Sequence, residues 1–347
     1  MCIRDRNGPS LSVSDLNNDG LEDLFISGNS TQEEVIFFQN KKGEFKKERV
    51  SFKSDNDLLE EDAGVFIFDF ENDGDNDVYI ARGSTQYPAK SNFYKDVLFI
   101  NDGTGNFFDY SSIVPVENSN STCVKGADFD NDGDLDLYVA NGHLSGNSAL
   151  DYCTRFWCHD VYTGTSKPNQ TLDTFFSGKL SGLGSNYSWN GFEHNHLFLN
   201  KQNSGFHNVA FLLGTAFEFD ARAVVTADID VDGRNDLLVV QYDSHAKQQR
   251  LFVMKNQMPA KGNWIGLHIT DSAGQPANGA TVQLFAGKRR DIVQLVTGDS
   301  FTAQHPSTAH FGLGENGSVD KLVIRWPSGK TKTLDQPATG KYHTVTP

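Results

Sequence analysis

One nine-residue pattern occurs four times in register along the chain. It places oxygen-bearing side chains at positions 1, 3, 5 and 9, with Gly at position 6. The copies supply Asp15, Asn17, Asp19 and Asp23; Asp69, Glu71, Asp73 and Asp77; Asp128, Asp130, Asp132 and Asp136; and Asp228, Asp230, Asp232 and Asp236. Position 6 is Gly20, Gly74, Gly133 and Gly233. Carboxylates this close repel one another unless protons or a cation neutralise them. A hard cation such as Ca2+ takes about six to eight oxygens, and a short loop wraps them only by turning sharply, which Gly permits. The spacing predicts about four Ca2+ sites, one per copy, with these residues as ligands. The competing reading is four acidic turns that bind nothing.

The helical EF-hand has the same opening but closes with Glu at position 12. Here position 12 is Ile26, Ile80, Val139 and Val239. Each lies in an apolar, β-branched or aromatic run, which predicts strands rather than helices. Aspartate at position 9 is expected to close each site. A second signature follows each loop. Val35–Gln39 leads to Gly43 and Phe45, Val97–Asn101 to Gly103 and Phe107, and His196–Asn200 to Gly205 and Phe206; Arg250–Val253 starts a fourth. These read as strand, turn and strand. One unit is then four strands, the composition of a propeller blade. The third unit is swollen by a connection from about Gly142 to Asn195, which could instead hide a degenerate blade. Residues 84–96 form a smaller insertion at the equivalent place in the second unit. Both are expected on one face, where connections carry recognition.

Composition narrows the partners. The 347 residues include 32 Gly and 26 Phe, without a long amphipathic helical pattern, which favours an all-β protein. A net charge of −15 argues against nucleic acid. Neither a membrane-spanning stretch nor a signal peptide is visible. Residues 1–9 resemble nothing that follows and read as a non-native or disordered start, with a natural N-terminus expected upstream. Cys153 and Cys158 are close enough in sequence to pair in an oxidising compartment, while Cys123 reads as buried.

The repeats resemble FG-GAP/VCBS repeats, the calcium-loop blades also found in integrin α-subunit propellers. Residues 261–347 resemble the ASPIC/UnbV domain through Asn263-Trp264, Gly279-Ala280, Gly298-Asp299-Ser300-Phe301, His310-Phe311-Gly312-Leu313-Gly314 and Trp326-Pro327-Ser328-Gly329. Repeats followed by this domain are the arrangement of cartilage-acidic-protein-like secreted proteins. The resemblance implies a calcium-loop propeller over 10–260, with the insertion at 142–195. The family has more repeats than four, often making seven blades. Residues 261–347 also read as β on their own pattern, a sandwich-like domain whose Gly and Trp residues define turns and core.

Other chemistry is thin. Cys153 and Cys158-His159 do not have the C-x-x-C-H spacing of haem attachment. His194 and His196 could share a strand face, but a third ligand is not identifiable. The leading expectation is a secreted or cell-surface, calcium-binding module for an extracellular protein or glycan, periplasmic location being the alternative, and not an enzyme. The second is a polysaccharide lyase or hydrolase using Asp151, His159, Glu193 or His194 on the insertion face. The third is a structural module of a larger polypeptide.

Overall fold

The computed structural model describes residues 9–29, 32–49, 60–84, 87, 89–148, 169–171, 174, 182, 187–202, 204–244, 246–259, 262–296, 298 and 300–347. Cys153, Cys158, Asp151, His159 and most of the long third-unit connection lie outside them.

Each acidic loop joins the first two strands of an antiparallel meander. The first sheet is β1 (Leu11–Ser14), β2 (Asp23–Ile26), β3 (Val35–Gln39) and β4 (Phe45–Arg49). The second is β5 (Asp62–Phe68), β6 (Asp77–Arg82), β7 (Val97–Asn101) and β8 (Phe107–Asp109). The third is β9 (Ser121–Ala127), β10 (Asp136–Asn141), β11 (His196–Asn200) and β12 (Phe206–Asn208). The predicted Phe residues do open the fourth strands. The fourth sheet departs from the pattern: among the described residues it is β13 (Asp220–Ala227), β14 (Asp236–Asp243) and β15 (Gln248–Met254), with three strands. Where a fourth strand was expected, the chain passes into β16 (Asn263–Ile269) of the C-terminal domain.

Second strands are apolar on both faces because each sheet is covered by its neighbours. All six residues of β6 and of β10 are buried. Leu16, Phe25 and Ile36 pack on Val78, Ile80 and Phe99 between sheets one and two. Phe68, Tyr79 and Leu98 meet Val124, Leu137 and Phe198 between sheets two and three. Phe129, Tyr138 and Leu197 meet Val224, Leu237 and Val239 between sheets three and four. Truncating one such residue, as in Leu137→Ala, costs about 2–5 kcal/mol. The first strands touch in the order β1, β5, β9, β13. The repeats are therefore β-propeller blades arranged in an arc.

The C-terminal domain is a two-sheet sandwich. It continues with β17 (Thr281–Ala286), β18 (Arg289–Gln294), β19 (Thr308–Gly314), β20 (Lys321–Arg325), β21 (Thr331–Asp335) and β22 (Tyr342–Val345). One sheet runs β19-β16-β22, the other β18-β17-β20-β21. In β20 the alternation of buried Leu322 and Ile324 with exposed Lys321 and Arg325 shows the period of two directly. Ile265, Leu267, Val282, Leu284 and Ile324 fill the space between the sheets.

The meanders sort the connections by face. Acidic loops emerge on one face, and the connections between second and third strands on the other. The two insertions meet on that far face, as their equivalent positions predicted. Asn190 Nδ2 donates to Tyr94 Oη at 2.9 Å, and Lys90 Nζ pairs with Glu193 at 2.6 Å. The C-terminal domain packs on the acidic-loop side. With the first strands of all four sheets it lines a cavity of about 830 Å³.

Candidate metal centres

All four loops share one backbone geometry, and the sequence dictates it. Position 4 is left-handed, at Asn18 (φ 57°), Asn72 (58°), Asn131 (59°) and Val231 (61°). Asn tolerates this region because its short amide can bond locally; a β-branched side chain does not. Position 6 is left-handed as well, at Gly20 (φ 85°), Gly74 (99°), Gly133 (104°) and Gly233 (87°). The two reversals fold the loop over position 1. Its Oδ2 accepts the position 6 N–H in every copy: Asp15 at 2.8 Å, Asp69 at 2.8 Å, Asp128 at 2.9 Å and Asp228 at 2.7 Å.

Position 9 does more than face a site. Its two oxygens clamp the loop to the sheet. Asp77 accepts the N–H groups of Phe70 (2.7 Å) and Asn101 (2.8 Å). Asp136 accepts those of Phe129 (2.9 Å) and Asn200 (2.8 Å). Asp23 and Asp236 repeat the arrangement with Leu16 and Gln39, and with Ile229 and Asn256. Each carboxylate thus satisfies two backbone donors that a turn would otherwise leave without partners.

Asparagines that sequence reasoning left without a role tie each loop to its neighbour. Asn72 Nδ2 donates to Asp134 Oδ1 at 2.7 Å, and Asn131 Nδ2 to the Gly233 carbonyl at 2.9 Å. In the reverse direction, Asn76 donates to the Asp15 carbonyl (3.0 Å) and Asn235 to that of Asp128 (3.2 Å). Asn101 and Asn256 reach the Leu16 and Phe129 carbonyls at 2.9 and 2.7 Å. Their recurrence at fixed offsets from the acidic positions is the signal that could have found them.

The third and fourth loops gather their carboxylates most closely. Asp128, Asp130 and Asp136 each offer an oxygen within 4.8 Å of the others, as do Asp228, Asp230 and Asp236. Among the described residues, neither the carboxylates Asp15, Asp19 and Asp23 nor Asp69, Glu71 and Asp77 form such a group. Asp19, Asp73, Asp132 and Asp232 stand at position 5, where each accepts the N–H two residues on, at 2.9–3.1 Å. In the third loop Asp128, Asp130 and Asp136 are all buried. Asp128 Oδ1 is buried and accepts no hydrogen bond. Burial, with Asp132 and Asp130 nearby, holds the Asp128 carboxyl well above the usual range. Burial and the neighbouring Asp128 do the same for Asp136. In the second loop burial pushes Asp69 up to about 7 and Asp77 up to about 8. A cation is the neutraliser this donor set fits: several hard oxygens, one of them unpartnered.

The far-face candidates are less poised. Glu193 is committed to Lys90, and His194 Nε2 lies 3.7 Å from Glu218. His196 is buried, with its Nδ1 3.0 Å from Asn208 Nδ2, and burial holds it below the usual imidazole range. The two histidines do not form a metal pair with a third ligand among the described residues.

Comparison with known proteins agrees with this anatomy. The FG-GAP-like repeat family matches residues 15–80 and 69–139, which take in the first three loops, and the ASPIC and UnbV family matches residues 270–347. The chain is 27% identical over 285 residues to cartilage acidic protein 1 of Xenopus tropicalis, covering 73% of this chain and 42% of that protein. It is 27% identical over 271 residues to the Homo sapiens protein, covering 72% and 39%. The chain thus spans about two fifths of the length of these relatives. A solved structure, that of the Dos1 propeller, aligns over 92% of this chain and 67% of its own, with 10% identity and a TM-score of 0.31. No helix among the described residues is long and apolar enough to cross a membrane. The chain belongs with the cartilage-acidic-protein-like proteins that join FG-GAP-like repeats to an ASPIC and UnbV domain.

Proposed function

We propose that the chain is a calcium-stabilised recognition module of the extracellular space or cell surface. Ca2+ in the acidic loops fixes the blades, and the far face binds a protein or glycan. The observation that carries the calcium reading is the third loop. Three buried carboxylates converge there, and the Asp128 Oδ1 has no protein hydrogen bond. Millimolar calcium outside the cytosol fills even weak oxygen sites, which supports the compartment.

The far face supports recognition. Phe211 (69% exposed) and Leu212 (83%) project from a helical turn between β12 and β13, and Val116 (64%) lies on the preceding connection of the same kind. Exposed apolar side chains of this size on the connections of one face favour a partner. The module reading also takes the chain not to be an enzyme. Glu193, a candidate on that face, is engaged by Lys90 at 2.6 Å.

The test is a set of melting curves in calcium, in magnesium and in chelator. Binding at a hundredfold excess over Kd stabilises by about 2.7 kcal/mol per independent site. Calcium should raise Tm clearly and magnesium less, since magnesium demands a smaller octahedral shell. Identical curves in calcium and in metal-free chelator would falsify the reading. The exposed Lys201→Ala serves as a neutral control.

A further inference from the structure

The C-terminal domain approaches all four acidic loops. At the first, Arg325 Nη2 donates to the Gly20 carbonyl at 3.3 Å and Gln294 Nε2 to Glu22 at 3.1 Å. At the second, Arg290 Cβ lies 3.7 Å from where a Cβ on Gly74 would stand. At the third, the Gly314 N–H donates to the Asn131 carbonyl at 3.0 Å, and the Arg289 guanidinium to that of Gly133. At the fourth, the Tyr342 hydroxyl donates to Asp228 Oδ2 at 2.8 Å. His310 Nε2 lies 3.1 Å from the Gly233 carbonyl, and Asn235 Nδ2 lies 3.3 Å from His310 Nδ1. A neutral imidazole carrying its proton on Nε2 satisfies both.

The fit at the third and fourth loops is closer than ordinary packing. Gly312 lies inside β19, where glycine weakens a strand and marks a close approach. A Cβ there would stand 1.8 Å from Asp128 Oδ2 and 2.8 Å from Asn131 Cα. A Cβ on Gly233 would stand 2.1 Å from the Trp264 indole. Trp264, His310 and Tyr342 form one aromatic cluster over this loop, with Trp264 5.4 Å from His310 and 4.9 Å from Tyr342 between centroids. Arg289 also bonds Asp291, its Nε donating to Oδ1 at 2.8 Å, so much of its charge is answered within its own domain.

We propose that the C-terminal domain completes the third and fourth cation sites. It seals Asp128 behind Gly312 and holds Asp228 through the Tyr342 hydroxyl, so domain docking and cation loading are one coupled equilibrium. The proposal rests on the calcium reading of the loops. Coupling of this kind is reciprocal: whatever tightens docking tightens binding by the same factor. A hydroxyl bonded to a ligating carboxylate fixes its orientation, and losing such an outer-shell partner typically weakens a metal site about 10–100-fold.

The experiment uses the full chain, with calorimetry for calcium binding and hydrogen exchange for docking. Calcium should slow exchange at 289–291 and 310–314 together with 128–136 and 228–236. Strands β17 and β20, inside the domain, should stay equally protected with and without the ion. Gly312→Ala should weaken calcium binding at one site at least about tenfold and speed exchange at the interface. If Gly312→Ala also exposes β17 and β20, the alanine has disturbed the domain itself, and Tyr342→Phe decides. That variant keeps the ring and should weaken one site about tenfold. Calcium bound with wild-type affinity by Tyr342→Phe, or bound without any change in interface exchange, overturns the coupling while leaving the calcium reading intact. Calorimetry finding no calcium bound to the wild type overturns both.

Discussion

The third and fourth loops carry the same spacing of carboxylates, yet their surroundings differ. In the third, Asp128, Asp130 and Asp136 are buried, with the second and fourth blades bonded to the loop and the C-terminal domain packed against Asp128. Position 4 is Asn131, which reaches the next loop. In the fourth, Asp230 is exposed, Lys255 Nζ contacts it, and Arg234 contacts Asp232. Position 4 is Val231, 67% exposed in a left-handed conformation that suits it poorly. One loop buries its carboxylates with a single guanidinium nearby, that of Arg289, already paired with Asp291; the other has side-chain cations directly on its carboxylates. The nine-residue pattern sets the turn of the loop backbone, and the neighbours decide how much a bound ion would be worth.

The largest expected difference is between Asp130→Asn and Asp230→Asn. In saturating calcium the first should cost about 3 kcal/mol, the order of one well-filled site, and the second under about 1 kcal/mol. Equal losses in chemical denaturation would remove the contrast. Next comes Asp136→Asn, measured in chelator so that the ion plays no part. Its amide cannot accept both the Phe129 and Asn200 N–H groups, and one buried donor loses its partner at about 1–3 kcal/mol. A loss seen in calcium alone would mean that position 9 acts only through the ion. Lys255→Met should strengthen calcium binding at the fourth loop, by about 1 kcal/mol, by removing a competitor for Asp230. Calorimetry showing weaker binding would reverse that view of the lysine. The smallest effect belongs to Val231→Asn. Relief of the left-handed Val should stabilise the chain by about 1 kcal/mol, read as a rise in Tm in chelator.

The loops and most strands were legible because their signals are local. Runs such as Val78–Ile80 and Leu137–Val139 need only a period and a length to be read as strands. The clamp at Asp77 was not legible in the same way, because Asn101 comes to it only through the register of β6 and β7. The same holds for Gly312. In sequence it belongs to a domain whose Gly and Trp residues read as turns and core, whereas in the fold it lies in a strand and makes room for Asp128. That the last sheet has three strands among the described residues was hidden for a related reason. The run 250–253 looks like every other third strand, and only the onset of β16 shows that the chain has left the blade.

The asparagine ties give the repeats the character of a one-dimensional array. Asn72 and Asn76 bind the second sheet to both its neighbours, whereas Asn18 of the first and Asn256 of the fourth each reach one. In such arrays stability is close to a sum of unit terms and nearest-neighbour terms, so the cost of opening a unit depends on how many neighbours it has. The second and third sheets, tied on both sides, should therefore be costly to open. Among the strands of the repeats, the amides of β6 and β10 should exchange slowest.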